Sequence, residues 1–142
     1  MGTGITFASN LLALIFEATA IANIADNAAS SPLTNLYLAL CVSDPSGSGT
    51  MGGSEAAYIG YTRIAVARSS GGWTITGQSI SPAADVVFPT CTGGSETESF
   101  FAITKASSGA SLILFSGALA PSIAVSNGVQ PRIRASSTLT LF

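Results

Sequence analysis

The chain has 142 residues and few charges, with five Lys plus Arg against seven Asp plus Glu and a formal net charge of -2. Charged residues make up 8% of the sequence, against about a quarter in an average soluble domain. The clustered Lys and Arg needed for phosphate binding are missing, so we expect no nucleic-acid partner. A surface with so little charge lacks the usual protection against association, and we expect the protein to work packed against other protein.

The apolar character of the chain does not indicate a membrane protein. Mean hydropathy is +0.53, but Asn10 and Glu17 flank the longest strongly apolar run, Leu11 to Phe16. That run is far shorter than the roughly 20 residues of a spanning helix. The N-terminus lacks the positive region of a secretory signal. We therefore predict no membrane partner and synthesis without export.

Catalysis and metal binding have little support in the sequence. The chain has no His, which removes Ser-His-Asp and Cys-His nucleophile systems and the most common metal ligand. Glu96 and Glu98 share a face in an extended chain and could form an acid and base pair, but carboxylates that solubilise a loop are the simpler interpretation. Cys41 and Cys91 are predicted to be buried free thiols. We predict no enzyme activity, no catalytic or metal site and no cofactor.

The first element in the chain is a predicted amphipathic helix over residues 6–24. Apolar residues recur there at three- and four-residue spacing, and the Asn- and Ser-rich residues before Pro32 are expected to end the helix. The helix either caps the sheet domain or acts as a docking arm on a neighbouring subunit. For the docking role, the candidate interface residues are Phe7, Leu11 and Ile15.

From residue 36 the hydrophobic period changes to two. Apolar residues occupy both faces between Leu36 and Val42, which predicts a central strand. A Gly- and Ser-rich run over residues 43–54 follows and predicts an exposed, mobile loop that becomes ordered only on assembly. Its candidate interface residues are Asp44, Pro45 and Met51.

The rest of the chain shows the pattern of short strands separated by turns. The predicted strands lie near residues 61–67, 73–76, 78–80, 86–88, 100–104, 112–119, 123–125, 129–134 and 138–142. Asn127-Gly128 predicts a type I′ hairpin, because both central residues of that turn need positive φ. The predicted fold is mainly β, an antiparallel, jelly-roll-like β-sandwich preceded by one N-terminal amphipathic helix. The predicted domains are a helix or arm with linker over 1–34 and the sandwich over 35–142.

The aromatic residues leave one alternative open. Most fall on or beside predicted strands, which is typical of core packing. If Tyr58 and Trp73 were instead exposed on loops, they would favour a module that binds host-surface glycan. Phe142 ends the chain without a polar tail, so we expect it inside its own sheet or against a partner, and it is the last candidate interface residue.

Several segments occur in a characteristic order. After the N-terminal helix come Asn35-Leu-Tyr-Leu-Ala-Leu-Cys-Val-Ser-Asp-Pro45, a Gly-rich loop, Tyr61-Thr-Arg63, Ser81-Pro-Ala-Ala-Asp-Val-Val-Phe-Pro89, Phe100-Phe-Ala-Ile-Thr104, Gly109-Ala-Ser-Leu-Ile-Leu-Phe-Ser-Gly-Ala-Leu119 and Asn127-Gly128. In this order, over most of residues 5–142, the chain resembles a family of small tailed-bacteriophage virion proteins. Members are often labelled tail fibre proteins, and similar β-rich chains serve as capsid cement or decoration proteins. One departure is the segment from Cys91 to Ser99, where many relatives have a Trp-Gly-Thr type segment.

The resemblance implies a structural protein of the virion, made in the cytoplasm of the bacterial host. The leading prediction is a cement or decoration protein on the capsid surface, which clamps the major capsid protein and associates with copies of itself as a dimer or trimer. The alternatives are a tail fibre or tail-associated structural subunit and, further away, a host-glycan-binding module. Cement is preferred because the chain lacks the fibrous repeats and coiled-coil heptads of a shaft.

Overall fold

A computed structural model describes residues 4–21 and 32–140. The predicted end of the helix, most of the predicted linker before Pro32, and Phe142 lie outside the described residues. The elements in chain order are α1 Ile5–Phe16, β1 Asn35–Cys41, β2 Ile64–Ala67, β3 Trp73–Thr76, β4 Ser79–Pro82, β5 Val86–Val87, β6 Ser95–Thr104, β7 Ile113–Ser126, β8 Arg132–Ile133 and β9 Leu139–Thr140. The predicted mainly β fold with one N-terminal helix is confirmed, and the strand pairs are antiparallel.

The chain divides into two compact units. The first consists of Met1–Asn35, Val66–Asp85 and Arg134–Phe142, and the second of Leu36–Ala65 and Val86–Ile133. The division into an arm and a jelly-roll domain stays a prediction. Among the described residues, no helix is long and apolar enough to span a membrane.

In the first unit, α1 buries one face against a three-stranded sheet of order β3-β4-β9. Ala8, Leu12 and Phe16 recur every four residues, so they lie on one side of the helix, and all three are fully buried. The Phe16 ring meets Trp73 of β3 edge-on, with centroids 4.7 Å apart at an interplanar angle of 65°, a favoured aromatic geometry. The last turn of the helix therefore fixes its position on the sheet.

The helix ends at Phe16, so the prediction that it reaches residue 24 is wrong. Ala18 has a left-handed conformation with φ 56°, which stops the helical hydrogen-bond pattern. The Arg68 guanidinium covers the last turn, because its Nε and Nη2 donate to the carbonyls of Ile15 and Leu14 at 2.5 Å each. A cation at this end also complements the helix dipole. The local apolar pattern continues beyond Phe16, but a tertiary contact ends the helix first.

In the four-stranded sheet of order β2-β1-β6-β7, β1 is internal, as predicted. The pairing of β1 with β6 runs from Tyr37 opposite Thr104 to Cys41 opposite Phe100. One face of these strands buries a cluster of small and sulfur-containing side chains, namely Ala39, Cys41, Met51 and Ala102. Cys41 and Cys91 are buried free thiols, which confirms that prediction.

β7 is one strand where the sequence predicts two. It continues through Pro121 to Ser126, and its pairing with β6 resumes beyond the proline. A register shift between Glu98 and Phe100 of β6 accommodates the unequal number of residues on the two strands. Pro121 is tolerated because β7 lies at the edge of the sheet, where a missing N–H need not break a ladder.

The Asn127-Gly128 segment forms a turn, but the predicted type I′ hairpin is wrong. Val129 N–H donates to the carbonyl of Ser126 at 2.9 Å. Gly128 has φ 89° whereas Asn127 has no positive φ, and this combination belongs to a type II turn. The flanking strands do not pair with each other, because β7 pairs with β6 and β8 pairs with β5.

Candidate functional site

The second unit contains a buried polar cluster centred on Arg63 and Glu55. Arg63 Nε donates to Glu55 Oε1 at 2.6 Å, and Arg63 Nη2 donates to Oε2 at 2.8 Å. The same guanidinium donates to the carbonyls of Ala106 at 2.7 Å and Gly109 at 2.6 Å. Bidentate pairing with Glu55 raises the pKa of Arg63. Arg63 therefore ties the turn between β6 and β7 to the segment before β2.

Tyr61 extends this cluster to β1. Its hydroxyl donates to Glu55 Oε1 at 3.0 Å and accepts the N–H of Leu40 at 3.1 Å. Burial, together with the Glu55 carboxylate, raises the pKa of Tyr61. The Tyr61-Thr-Arg63 segment of the resemblance is the one sequence signal that points to this cluster, and no pattern in the sequence identifies Glu55 as the partner.

Glu96 and Glu98 lie side by side on β6, so the interpretation that they solubilise a loop is wrong. Glu96 Oε1 accepts the N–H groups of Ala57 and Tyr58 at 2.8 Å each. Tyr58 in turn donates from its hydroxyl to the carbonyl of Pro89 at 2.9 Å. Glu96 thus holds the segment before Tyr61 against the sheet, which is a structural task.

Glu98 is the most unusual group of the site. It is 0% exposed, and neither of its carboxyl oxygens meets a hydrogen-bond partner within the described part of the chain. Burial raises the pKa of Glu98 to about 8, and the neighbouring Glu96 carboxylate adds to the increase. At neutral pH the group is mostly protonated, because a buried carboxylate without a partner is costly.

The chemistry available to these groups is limited. Burial is the main cause that raises the pKa of the Cys41 thiol to about 12, which suppresses the thiolate form needed for nucleophilic attack. Glu96 is engaged with backbone N–H groups, and Glu98 has no access to solvent. Among residues 4–21 and 32–140, no group of three or more His, Cys, Asp or Glu side chains is arranged to hold a metal ion.

The candidate interface residues of the helix belong to the first unit. Phe7 is 44% exposed, and its neighbour Ile5 is the most exposed large apolar residue of the described chain. Leu11 and Ile15 are half-buried. The start of α1 thus presents apolar side chains to solvent while the end of the helix is packed.

The candidate residues of the loop over 43–54 belong to the second unit and behave differently from one another. Asp44 is exposed, and its Oδ1 accepts the N–H of Ser46 at 2.9 Å, a hydrogen bond that lowers the pKa of Asp44. Pro45 and Met51 are buried. Both side chains are thus enclosed in the free chain, and their role at an interface stays a prediction.

The loop is also more structured than the sequence predicts. Met51 N–H donates to the carbonyl of Ser111 at 2.9 Å, and Ile113 N–H donates to that of Gly49 at 3.0 Å. An isolated bridge joins Thr50 to the residue before β7. The run forms no helix or strand of its own, but these contacts join it to the segment before β7, a tertiary pairing that Gly-rich composition does not reveal. Its ordering only on assembly stays a prediction.

The two aromatic residues considered for glycan binding are both buried. Trp73 is 2% exposed, and its Nε1 has no hydrogen-bond partner within the described part of the chain. Tyr58 is similarly enclosed. The prediction of an exposed platform made by these two residues is wrong.

Comparison with known proteins identifies a matching family. A protein-family model described as Podophage GP4 fiber I protein gp80 matches residues 12–140. No curated protein matches the chain. The matched range begins within α1, ends at the last residue of β9, and includes the buried cluster of Arg63, Glu55 and Tyr61.

Proposed function

Because the chain belongs to the podophage GP4 fiber I protein gp80 family, whose model matches residues 12–140, we propose that it is a fibre-type subunit of a short-tailed phage particle. Family membership makes it a phage structural protein. The fibre position is the finer step of the proposal, and the description of the family model supports it. The proposal thus places tail fibre before capsid cement, the reverse of the order in our sequence-based hypotheses.

The arrangement of the chain supports a structural task. The half-buried carboxylates of Glu55 and Glu96 act as internal ties, one of them with the buried Arg63, and Glu98 lies enclosed in the core. Its low charge means that close packing against other subunits would remove few ions from water. We accordingly propose a non-enzymatic role and, as partners, copies of the same chain and neighbouring virion proteins.

Capsid cement is the second candidate. It is favoured by the short single helix of 12 residues and by the absence, among the described residues, of any long helical segment that could form a shaft. In that case the partner is the major capsid protein on the outer shell. The charge argument applies equally to both locations.

Particle biochemistry separates the two candidates. We would delete the gene, purify the particles, and measure adsorption to host cells together with genome retention after heating or osmotic shock. A fibre subunit predicts poor adsorption by particles that keep their genome. A cement protein predicts normal adsorption by particles that lose their genome under stress.

Direct localisation provides the control. Electron microscopy of wild-type particles carrying an antibody label should place the chain at fibres, and the label should be absent from deletion particles. Label distributed only over the shell would contradict the fibre proposal and support cement. Label on neither structure would contradict both.

A further inference from the structure

The two outer strands of the four-stranded sheet differ in length and charge. β2 has only four residues, and Arg63 and Arg68 lie on either side of it. β7 has 14 residues, and the chain carries no charged residue between Lys105 and Arg132. Short edges and edge charges are the usual protection of a sheet against pairing with other chains. β2 is short, although its flanking arginines are engaged within the chain, whereas β7 is long and uncharged and is interrupted only by the bulge over residues 119–122, which contains Pro121.

The chain covers only the beginning of β7. Residues 49–51 pair with residues 111–113 through the hydrogen bonds of Met51 and Ile113. Over residues 116–125, which we call the open edge, β6 pairs with residues 116–118 and 123–125, and residues 119–122 lie outside that pairing. The described parts of the chain supply no strand on the other side. Outward backbone groups in the open edge are therefore available to a further strand.

Side chains along the open edge favour a partner of low charge. Ala118 and Ala120 are exposed, and Leu119 and Ile123 are half-buried. A strongly anionic partner such as nucleic acid or an acidic glycan would find no Lys or Arg there. A second copy meets the same neutral sequence and brings a net charge of only -2, so few ions are desolvated and long-range repulsion is weak.

We propose that the open edge of β7 pairs antiparallel with the same edge of a second copy, across a two-fold axis. The pairing would join two four-stranded sheets into one continuous sheet with β2 at both outer ends. One contact satisfies the open edges of both copies, and a two-fold contact closes without leaving a further edge. The partner strand would also cover Leu119 and Ile123, whose apolar surface is partly exposed.

This inference specifies the self-association included in the proposed function, and it can fail separately. Dimerisation is measured on purified full-length protein, whereas the fibre position is measured on particles. A dimer located on the capsid would contradict the fibre position and leave the dimer proposal intact. A monomeric fibre subunit would contradict the dimer proposal and leave the fibre position intact.

The first test is the mass of the protein in solution, measured by sedimentation or light scattering. The wild-type chain should have twice its 14.2 kDa monomer mass. Ala118→Lys places like charges near each other across the two-fold axis and should reduce the mass to that of one chain. Ala65→Lys is the matched control, because Ala65 is an exposed alanine on β2, at the opposite edge of the same sheet.

A monomeric or trimeric wild-type protein would overturn the proposal, as would a dimer that survives Ala118→Lys or is lost in Ala65→Lys. Circular dichroism checks that each variant is folded, and Ala120→Lys replaces Ala118→Lys if the latter unfolds.

Spin labels give an independent distance. Both native cysteines are buried, so a label can be attached selectively to an Ala120→Cys or Ala65→Cys variant. With strands spaced at about 4.8 Å, two labels at position 120 should lie within about 20 Å, and two labels at position 65 at roughly 30 Å or more. The reverse order of distances, or no dipolar coupling at position 120, would exclude pairing through β7.

Discussion

Glu98 shows how one side chain can make a fold depend on pH. Its folded-state pKa of about 8 lies above the ordinary value of 4.5, so the folded chain binds more protons than the unfolded chain between these values. The stabilising effect of the protonated form is complete below about pH 4.5 and is lost as the pH rises through about 8. Titration of Glu98 therefore favours the folded state most under acidic conditions.

Glu98→Gln should remove this contribution while keeping the shape of the side chain. Relative to wild type, we expect the free energy of unfolding of the variant to rise steadily from about pH 4.5 to about pH 8 and then to stay constant. Urea unfolding at several pH values measures it. Glu17→Gln, which removes a carboxylate outside β6, is the control, and parallel pH profiles of Glu98→Gln and wild type would contradict the prediction.

Arg63 gives the second prediction at this scale. Arg63→Met leaves the Glu55 carboxylate and the carbonyls of Ala106 and Gly109 without their donor, and we expect a loss of about 3–5 kcal/mol in the free energy of unfolding. Arg63→Lys should recover only part of the lost free energy of unfolding, because an ammonium group cannot reproduce the bidentate geometry. The exposed Arg134→Met should change stability by less than about 0.5 kcal/mol. Equal losses of stability at positions 63 and 134 would refute the assignment of Arg63 as the structural tie of the cluster.

At the scale of elements, α1 combines a packed end and an exposed end. Phe16→Ala removes the ring that contacts Trp73, and we expect the free energy of unfolding to fall by about 3–5 kcal/mol. Phe7→Ala should have little effect on stability, because Phe7 is 44% exposed. If α1 also docks on a neighbour, Phe7→Ala should weaken incorporation into particles. Thermal melts and particle-binding assays measure the two effects, and a large loss of stability in Phe7→Ala would exclude a surface role.

The loop over 43–54 was predicted to be ordered only on assembly, and the structure gives a different expectation for the free protein. The amides of Met51 and Ile113 donate to the chain's own carbonyls, so they should exchange with solvent more slowly than the exposed amide of Gly47. Hydrogen exchange on the free protein measures this. Equal, rapid exchange at all three positions would restore the mobile-loop prediction.

At the scale of the whole molecule, the low charge has a consequence for assembly. With 8% charged residues, and none along the open edge, association of copies should depend little on ionic strength. We expect the dimer dissociation constant to change by less than about threefold between roughly 0.05 and 0.5 M salt. Sedimentation at several salt concentrations measures it, and a much steeper dependence would show that the contact uses charged surface elsewhere.

The agreement between sequence and structure depends on how local each signal is. Both ends of β3, Trp73–Thr76, were predicted correctly, because residues with high β propensity are followed closely by a turn that contains Gly. The type of turn at Asn127-Gly128 and the continuity of β7 through Pro121 were missed, because both depend on which strand lies alongside. Of the candidate interface residues, Phe7 is exposed, which fits a surface role. Pro45 and Met51 are buried in the free chain, which a Gly-rich loop does not reveal, and their role at an interface stays a prediction.

By itself, the sequence determined the mainly β class, the N-terminal helix, the low charge and the resemblance to phage virion proteins, since these follow from composition, periodicity and segment order. Only the tertiary structure decided where the helix ends, which carboxylate Arg63 binds, that Glu98 is enclosed without a partner, and that β7 is an uncharged open edge. These features depend on contacts between residues distant in the chain, and hydrophobic periodicity specifies which face of an element is buried but not what lies against it.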